Sequence, residues 1–406
     1  MTSDQRLRRL LESQVDLAAL RVLYPSVRVL EGQGVRPRVR CGGREYLVFC
    51  SNDYLDLACD FRLIEAAKNA TEVYGVGALP SRVATGILDI QEQIETKLAK
   101  FIRAESCLTF TSGTAANTGT VPALIGSPLA RVMRATSQPA STAVFADAAV
   151  HASLIDGIRL AAPGRTRFYR HVDMGSLKHV LEHSDTAVKL IVTDGVFSVD
   201  GDIAPLPEIA ALAEEHDAAV MVDDAHGTGV LGECGRGSCE LLGAEERIDV
   251  RMGSLSKALG CIGGFIAGPS WFIEYLRHAA RTSMFSMPLP AAAAAAISTA
   301  VDIVEQEPWR RKRLLDNARY LRDGIQSLGF GTAKSTTHIV PVVIGDEEKA
   351  LSIEAGLQDR GILVRALRYP AAAKGQAALR LFANTAHTRE DMDYFLNALA
   401  DVAGGG

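Results

Sequence analysis

Short apolar runs without polar alternation recur along this chain, at residues 107–110, 143–145, 190–193, 218–222 and 265–267. Each is followed by a polar or glycine-containing turn, and amphipathic segments such as 174–182 and 207–215 lie between them. A strand that is apolar at every position must be covered on both faces, whereas a half-exposed strand alternates. Strands of this kind interleaved with helices predict an α/β fold, a mostly parallel sheet sandwiched by helices. In such sheets the ligand site lies beyond the carboxyl ends of the strands.

The pattern changes near residues 285–290. An alanine-rich helical stretch follows, then a strand at 339–344, a helix at 347–359, a strand and a helix. We read 286–406 as a smaller C-terminal α/β domain, 51–285 as the large domain, and 1–50 as an N-terminal arm. The arm should hold a helix and a hairpin-like segment, 38–49, turning at Gly42-Gly43. With 48% hydrophobic and 22% charged residues, the chain can bury a sizeable core. A net charge of −5, from 43 Lys plus Arg against 48 Asp plus Glu, argues against a nucleic-acid partner, which needs a basic face to displace counterions. The seven cysteines form no CxxC pair, so neither a metal site nor a disulfide framework is expected. The stretch 289–301 is far short of the roughly 20 residues that a membrane span needs, and 1–11 lacks the apolar core of a signal peptide. A soluble cytoplasmic protein is the expectation.

Four stretches can carry chemistry. In Val220-Met221-Val222-Asp223-Asp224-Ala225-His226-Gly227 an apolar run ends in two carboxylates and a histidine. This suits a strand-end turn with a satisfied acid, or a carboxylate held against a cationic ring nitrogen. In Gly253-Ser254-Leu255-Ser256-Lys257 a lysine lies among hydroxyls with no acid close in sequence. It is an ordinary loop lysine, or a desolvated amine able to form a Schiff base with Ser254 and Ser256 as phosphate ligands. Thr111-Ser112-Gly113-Thr114-Ala115-Ala116-Asn117 opens a helix with small hydroxylated residues; that is a plain N-cap or an anion site. His151, in Asp147-Ala148-Ala149-Val150-His151-Ala152-Ser153, is structural or stacks on a planar cofactor.

Two matches mislead. Gly227-Thr228-Gly229-Val230-Leu231-Gly232 fits GxGxxG, but it neither follows a strand directly nor opens a helix, as a dinucleotide site requires. Ser254-Leu255-Ser256-Lys257 fits the S-x-x-K pattern of serine–lysine acyl hydrolases. Their companion motifs are missing, and that activity stays as an alternative.

Taken in order, Ser51-Asn52-Asp53-Tyr54-Leu55, residues 192–202, 222–232 and 253–260, and Arg380 resemble the α-oxoamine synthases. These are pyridoxal 5′-phosphate (PLP) enzymes of fold type I, the aspartate aminotransferase fold. The resemblance implies a decarboxylative condensation of a small amino acid with an acyl thioester, on CoA or an acyl-carrier protein, to give an α-aminoketone. It also implies a homodimer with the site at the subunit boundary. Lys257 matches the lysine that binds PLP covalently. Asp223 matches the partner of the pyridine nitrogen, His226 and Ser198 match groups near the ring's phenolic oxygen, and His151 matches the stacked histidine. Ser112, Gly113, Thr114, Ser254 and Ser256 fall around the phosphate, with Ser286 serving the neighbouring subunit. Asn52 and Arg380 match residues holding the amino-acid carboxylate, and Arg21 matches a contact to substrate or product. Another PLP reaction on the same fold, such as an aminotransferase, is a further alternative.

The chain departs from the family pattern at Thr114, Gln91, Asp56 and Leu79-Pro80, and at Tyr369-Pro370-Ala371-Ala372-Ala373. None of these touches Lys257, Asp223, His226 or Arg380, so the expectation is retained chemistry with altered acyl specificity.

Overall fold

The fold is seen in a computed structural model that describes residues 3–16, 27–32, 34, 36–78, 81–126, 141–161, 166–369 and 371–404. An N-terminal helix, Ser3–Glu12, precedes a hairpin of β1 (Arg38–Cys41) and β2 (Arg44–Val48). Gly42 and Gly43 turn it with φ of 58° and 75°. Two consecutive left-handed residues make the turn whose twist matches an antiparallel pair.

The central sheet holds β3 (Ser106–Phe110), β4 (Thr142–Asp147), β5 (Thr166–Tyr169), β6 (Val188–Asp194), β7 (Ala218–Asp223), β8 (Val250–Ser254) and β9 (Gly264–Gly268), in the order β3-β9-β8-β7-β6-β4-β5. Strands β4 to β8 run parallel to one another. Strand β9 runs antiparallel to both β8 and β3. All five apolar runs lie in these strands, and β9 is buried at every position, which is why its reversed direction left no mark on its composition.

Alternate side chains of each strand enter different cores, as a pleat requires. Val144, Ala146, Leu190, Val192 and Met221 pack with the helices Gly113–Gly126, Ala152–Ala161 and Ser270–Ala279. Phe145, Ile191, Val220 and Val222 pack with Leu177 of helix Met174–Glu182 and Leu206 and Ile209 of helix Leu206–Glu215. Asp173 starts the first of that second pair of helices, its side chain accepting the Ser176 N–H at 2.8 Å. This satisfies an otherwise orphaned donor.

Four strands follow: β10 (Ile339–Gly345), β11 (Ile362–Leu363), β12 (Arg365–Leu367) and β13 (Ala377–Phe382). The order β10-β13-β12 is antiparallel throughout. The short β11 instead pairs in parallel with β2, and the Phe49 carbonyl accepts the Phe382 N–H at 2.7 Å. The N-terminal hairpin is thereby stitched to the last third of the chain. The alanine-rich helix Ala291–Gln306 lies against helix Phe61–Tyr74, its small side chains allowing close approach. Among the described residues no helix is long and apolar enough to cross a membrane.

Candidate active site

Acidic residues end β4, β6 and β7, at Asp147, Asp194 and Asp223, and Ser254 ends β8. Asp194 and Asp223 are register partners on adjacent parallel strands, so two carboxylates meet at the carboxyl edge. The N-terminus of helix Gly113–Gly126 faces the same edge. It is held close because a Cβ on Gly264 of β9 would lie 2.7 Å from Gly113 Cα.

Between these elements lies a cavity of about 200 Å³. Ser112, Gly113 and Thr114 form one wall, Ser254, Ser256 and Lys257 another, and His151, Asp223 and His226 complete it. Asp223 is buried, its Oδ1 accepting the Ala225 N–H at 3.0 Å and its Oδ2 the Asn117 Nδ2 at 2.6 Å. Asn117 Nδ2 also donates to Ser153 Oγ at 2.8 Å, and that hydroxyl meets His151 Nδ1 at 2.7 Å. A continuous polar chain therefore joins the acid to the imidazole. The His151 N–H donates to Asp194 Oδ1 at 3.1 Å.

Burial lowers the pKa of Lys257, with Asp223 and Asp194 opposing and the Arg380 charge reinforcing the fall. Burial pushes Asp194 well above the usual carboxylate range, helped by the charge of Asp223. His226 is held neutral by burial and by Lys257. Its Nδ1 lies 2.8 Å from the Tyr54 hydroxyl, which donates to Asn52 Oδ1 at 3.2 Å. One hydroxyl hydrogen serves one acceptor, so with this amide orientation His226 Nδ1–H is the donor to Tyr54.

Arg380, on β13, donates from Nη1 to the Ser198 carbonyl at 3.2 Å and lies over the Phe382 ring at 4.9 Å. Asn52, Ser198 and Arg380 are not part of the cavity wall. Asn52 reaches the wall through Tyr54 and His226, and the Arg380 charge acts on Tyr54, His226 and Lys257. Ser286 is set apart, its hydroxyl donating to the Thr282 carbonyl at 2.7 Å. Arg21 and Leu79-Pro80 lie outside the described residues.

Three groups at the site lie in stretches singled out from the sequence but were given no role there. Asn117 lies one helical turn after Gly113 and so faces the same way. Ser153 follows His151 by two residues. Asp194 could have been found by noting that β6 ends, like β7, in an aspartate.

A larger cavity, about 510 Å³, opens elsewhere, lined in part by Arg103, Glu214, Arg247 and Arg251. Two of its arginines are already engaged: Arg247 pairs with Glu214 at 2.8 Å, and Arg251 donates to the carbonyls of Ile102 and Arg103 at 2.7 and 3.0 Å. We therefore assign the chemistry to the smaller cavity. The S-x-x-K match also fails on geometry, because Ser254 Oγ pairs with Ser256 Oγ at 3.0 Å. Among the described residues it has no hydrogen bond to Lys257. One cluster, His171, Asp200 and Asp202, has the spacing to hold a metal ion, but both ring nitrogens of His171 are already engaged by Asp147 and Asp202.

The aminotransferase class I and II family matches residues 44–399. This chain belongs to that family. Among its curated relatives, the 8-amino-7-oxononanoate synthase of Symbiobacterium thermophilum is 44% identical over 94% of both chains. That of Thermoanaerobacter pseudethanolicus is 42% identical over 94% of this chain and 93% of its own. The serine palmitoyltransferase of Sphingomonas wittichii superposes with a TM-score of 0.89 at 28% identity, covering 100% and 99% of the two chains. A serine palmitoyltransferase from S. paucimobilis with a bound PLP–myriocin aldimine gives 0.85 at 30% identity, covering 93% and 92%. The family member is a PLP-dependent acyltransferase of fold type I.

The residues present fit PLP. A pyridinium wants a buried anion at its nitrogen, and Asp223 keeps free lone pairs after accepting one donor on each oxygen. The aldehyde wants an amine, and among the described residues Lys257 Nζ has no hydrogen-bond or ion-pair partner. The phosphate wants donors. The first N–H groups of a helix have no partner within it, and Gly113 and Thr114 present theirs beside the hydroxyls of Ser254 and Ser256.

Proposed function

We propose that this chain catalyses the decarboxylative condensation of a small amino acid with an acyl thioester, as a homodimer in the cytoplasm. The observation that carries the reading is the meeting of Lys257 and Asp223 in one small cavity, the acid fixed by Asn117 and the Ala225 N–H. The relatives' product name supports the substrate class. In 8-amino-7-oxononanoate a methyl and an amine-bearing carbon, what alanine leaves on losing its carboxyl group, are joined to a seven-carbon diacid acyl group. Alanine is therefore the amino acid we favour.

PLP bound here supplies an electron sink for negative charge at the amino-acid Cα. Asp223 holds the ring nitrogen in its protonated form by opposing charge. Lys257, its pKa lowered by burial, can present a neutral Nζ to take the proton from Cα. Arg380 and Asn52 grip the substrate carboxylate, the guanidinium with a fork that lysine lacks. His151 would lie against the ring of the bound cofactor, and the hydrogen bond of Nδ1 to Tyr54 fixes the His226 ring where it lines the cavity. Across the reaction a bond forms between Cα and the acyl carbon, while the C–S bond and the Cα–carboxylate bond break. One proton is consumed as carbon dioxide and thiol leave.

The test uses alanine labelled with ¹³C at the carboxyl group and a panel of acyl-CoA and acyl-carrier-protein thioesters. Labelled carbon dioxide, free thiol and an aminoketone mass, each dependent on the thioester, are the expected products. Amino transfer to a keto acid with the label retained would replace this function with an aminotransferase.

A further inference from the structure

His171 lies outside the cavity wall, in the loop between β5 and helix Met174–Glu182, and the chemistry above does not use it. Its surroundings are unusually organised. Nδ1 meets Asp147 Oδ1 at 2.9 Å and Nε2 meets Asp202 Oδ2 at 3.1 Å. Both acids are more than nine-tenths buried, and the Phe197 ring stands edge-on to the imidazole at 4.4 Å and 86°. Burial alone would lower the ring's pKa, but the hydrogen bonds to Asp147 and Asp202 outweigh it and push it up to about 10. The ring is an imidazolium at neutral pH, a charged strut between two carboxylates.

Each end of the strut belongs to a different piece of the site. Asp147 closes β4 and organises the turn that delivers His151, its Oδ1 also accepting the Ala149 N–H at 2.8 Å. Its Oδ2 accepts the Val172 N–H at 2.9 Å. Val172 has φ of 54°, a left-handed conformation that a β-branched residue adopts only when the surroundings force it. The backbone beside the strut is thus strained to bring His171 and Val172 onto the same acid.

Asp202 belongs to the 196–203 turn, closed by the Phe197 N–H to Asp202 carbonyl bond at 3.0 Å. That turn carries Ser198, whose carbonyl holds Arg380. It also carries Gly201, whose carbonyl accepts Thr337 Oγ1 at 2.9 Å. One side of the turn is therefore fixed by small-domain residues and the other by His171. The imidazolium thus links the turn that bears His151 to the turn that holds Arg380.

We propose that His171 is a positioning residue of this active site: by bridging Asp147 and Asp202 it sets the placement of the Ser198 turn, and with it Arg380, relative to the turn that bears His151. The consequence for the substrate rests on the reading above that Arg380 binds the amino-acid carboxylate.

The test is His171→Asn in the PLP-loaded, full-length enzyme, since an asparagine amide can reach Asp147 but not Asp202. Hydrogen–deuterium exchange should speed up in segment 196–203 and stay unchanged in 147–151. The amino-acid KM should rise about 10-fold, the loss of a charge-assisted bond, with kcat within about 2-fold and the absorbance of bound PLP unchanged. Asp202→Asn, which keeps the shape and removes the charge, should move KM in the same direction, and it decides the matter if the first variant does not fold. Unchanged exchange in 196–203 overturns the bridge. Faster exchange with an unmoved KM, in variants that merely melt earlier, overturns the positioning role. An Arg380→Ala control separates the two readings. If its KM is also unmoved, the carboxylate assignment is what fails, and the exchange result alone then upholds or overturns the strut.

Discussion

Asp223→Asn changes one atom of the site and no volume, so its effect can be worked from the hydrogen bonds. The carboxylate accepts a donor on each oxygen, the Ala225 N–H and the Asn117 amide. An asparagine has a single acceptor oxygen. Whichever way its amide turns, one NH₂ group faces another N–H donor. Losing one charge-assisted hydrogen bond costs about 1.5–3 kcal/mol, and a buried donor left unpaired costs about 1–3 kcal/mol more. The negative charge opposite the cofactor nitrogen goes as well. The bond losses fall on folding stability, whereas the missing charge, worth about 3–5 kcal/mol for one partner of a buried pair, lowers kcat/KM by roughly 10²- to 10³-fold or more. The assay is steady-state thiol release from the acyl thioester, with bound PLP quantified by absorbance. Asn117→Ala, which deletes one donor and keeps the charge, should fall between wild type and Asp223→Asn. An Asp223→Asn enzyme that retains its cofactor and loses less than about 10-fold would refute the reasoning.

Arg380→Ala should raise the amino-acid KM by at least about 30-fold while PLP stays bound, because removing one member of a buried charge pair costs about 2–5 kcal/mol; titrating alanine against the cofactor absorbance checks it. The His171 strut also makes stability depend on pH. Its folded pKa of about 10 stands above the ordinary 6.5, so its contribution is fully present below about pH 6.5 and is lost as pH rises through about 10. Urea midpoints of wild type and His171→Asn should therefore converge between those limits, and a constant gap would contradict the assignment.

Much of the central sheet was legible because burial on both faces leaves an unalternated apolar run, and each such run lies in a strand. The direction of β9 was not legible, since a buried strand has the same composition in either direction. The pairing of β2 with β11 was hidden for another reason: it joins segments from opposite ends of the chain, and neither carries a signal for the other. At the site, Asp223 and His226 stood out because titratable residues followed an apolar run, and Lys257 because it lay among hydroxyls with no acid close in sequence. Asn117 and Ser153 did not, because an amide and a hydroxyl inside helical stretches look like ordinary surface polarity until two helices bring Asn117 onto Asp223 and Ser153 between Asn117 and His151. The role of His171 depends on Asp147 and Asp202, residues that only the sheet brings within reach of one ring.

Borohydride treatment of the holoenzyme, followed by proteolysis and peptide mass analysis, tests the central assignment most directly. The expected result is a single pyridoxyl-phosphate adduct on Lys257, absent from Lys257→Ala. An adduct on a different lysine, or none on a protein that binds PLP, would contradict the account.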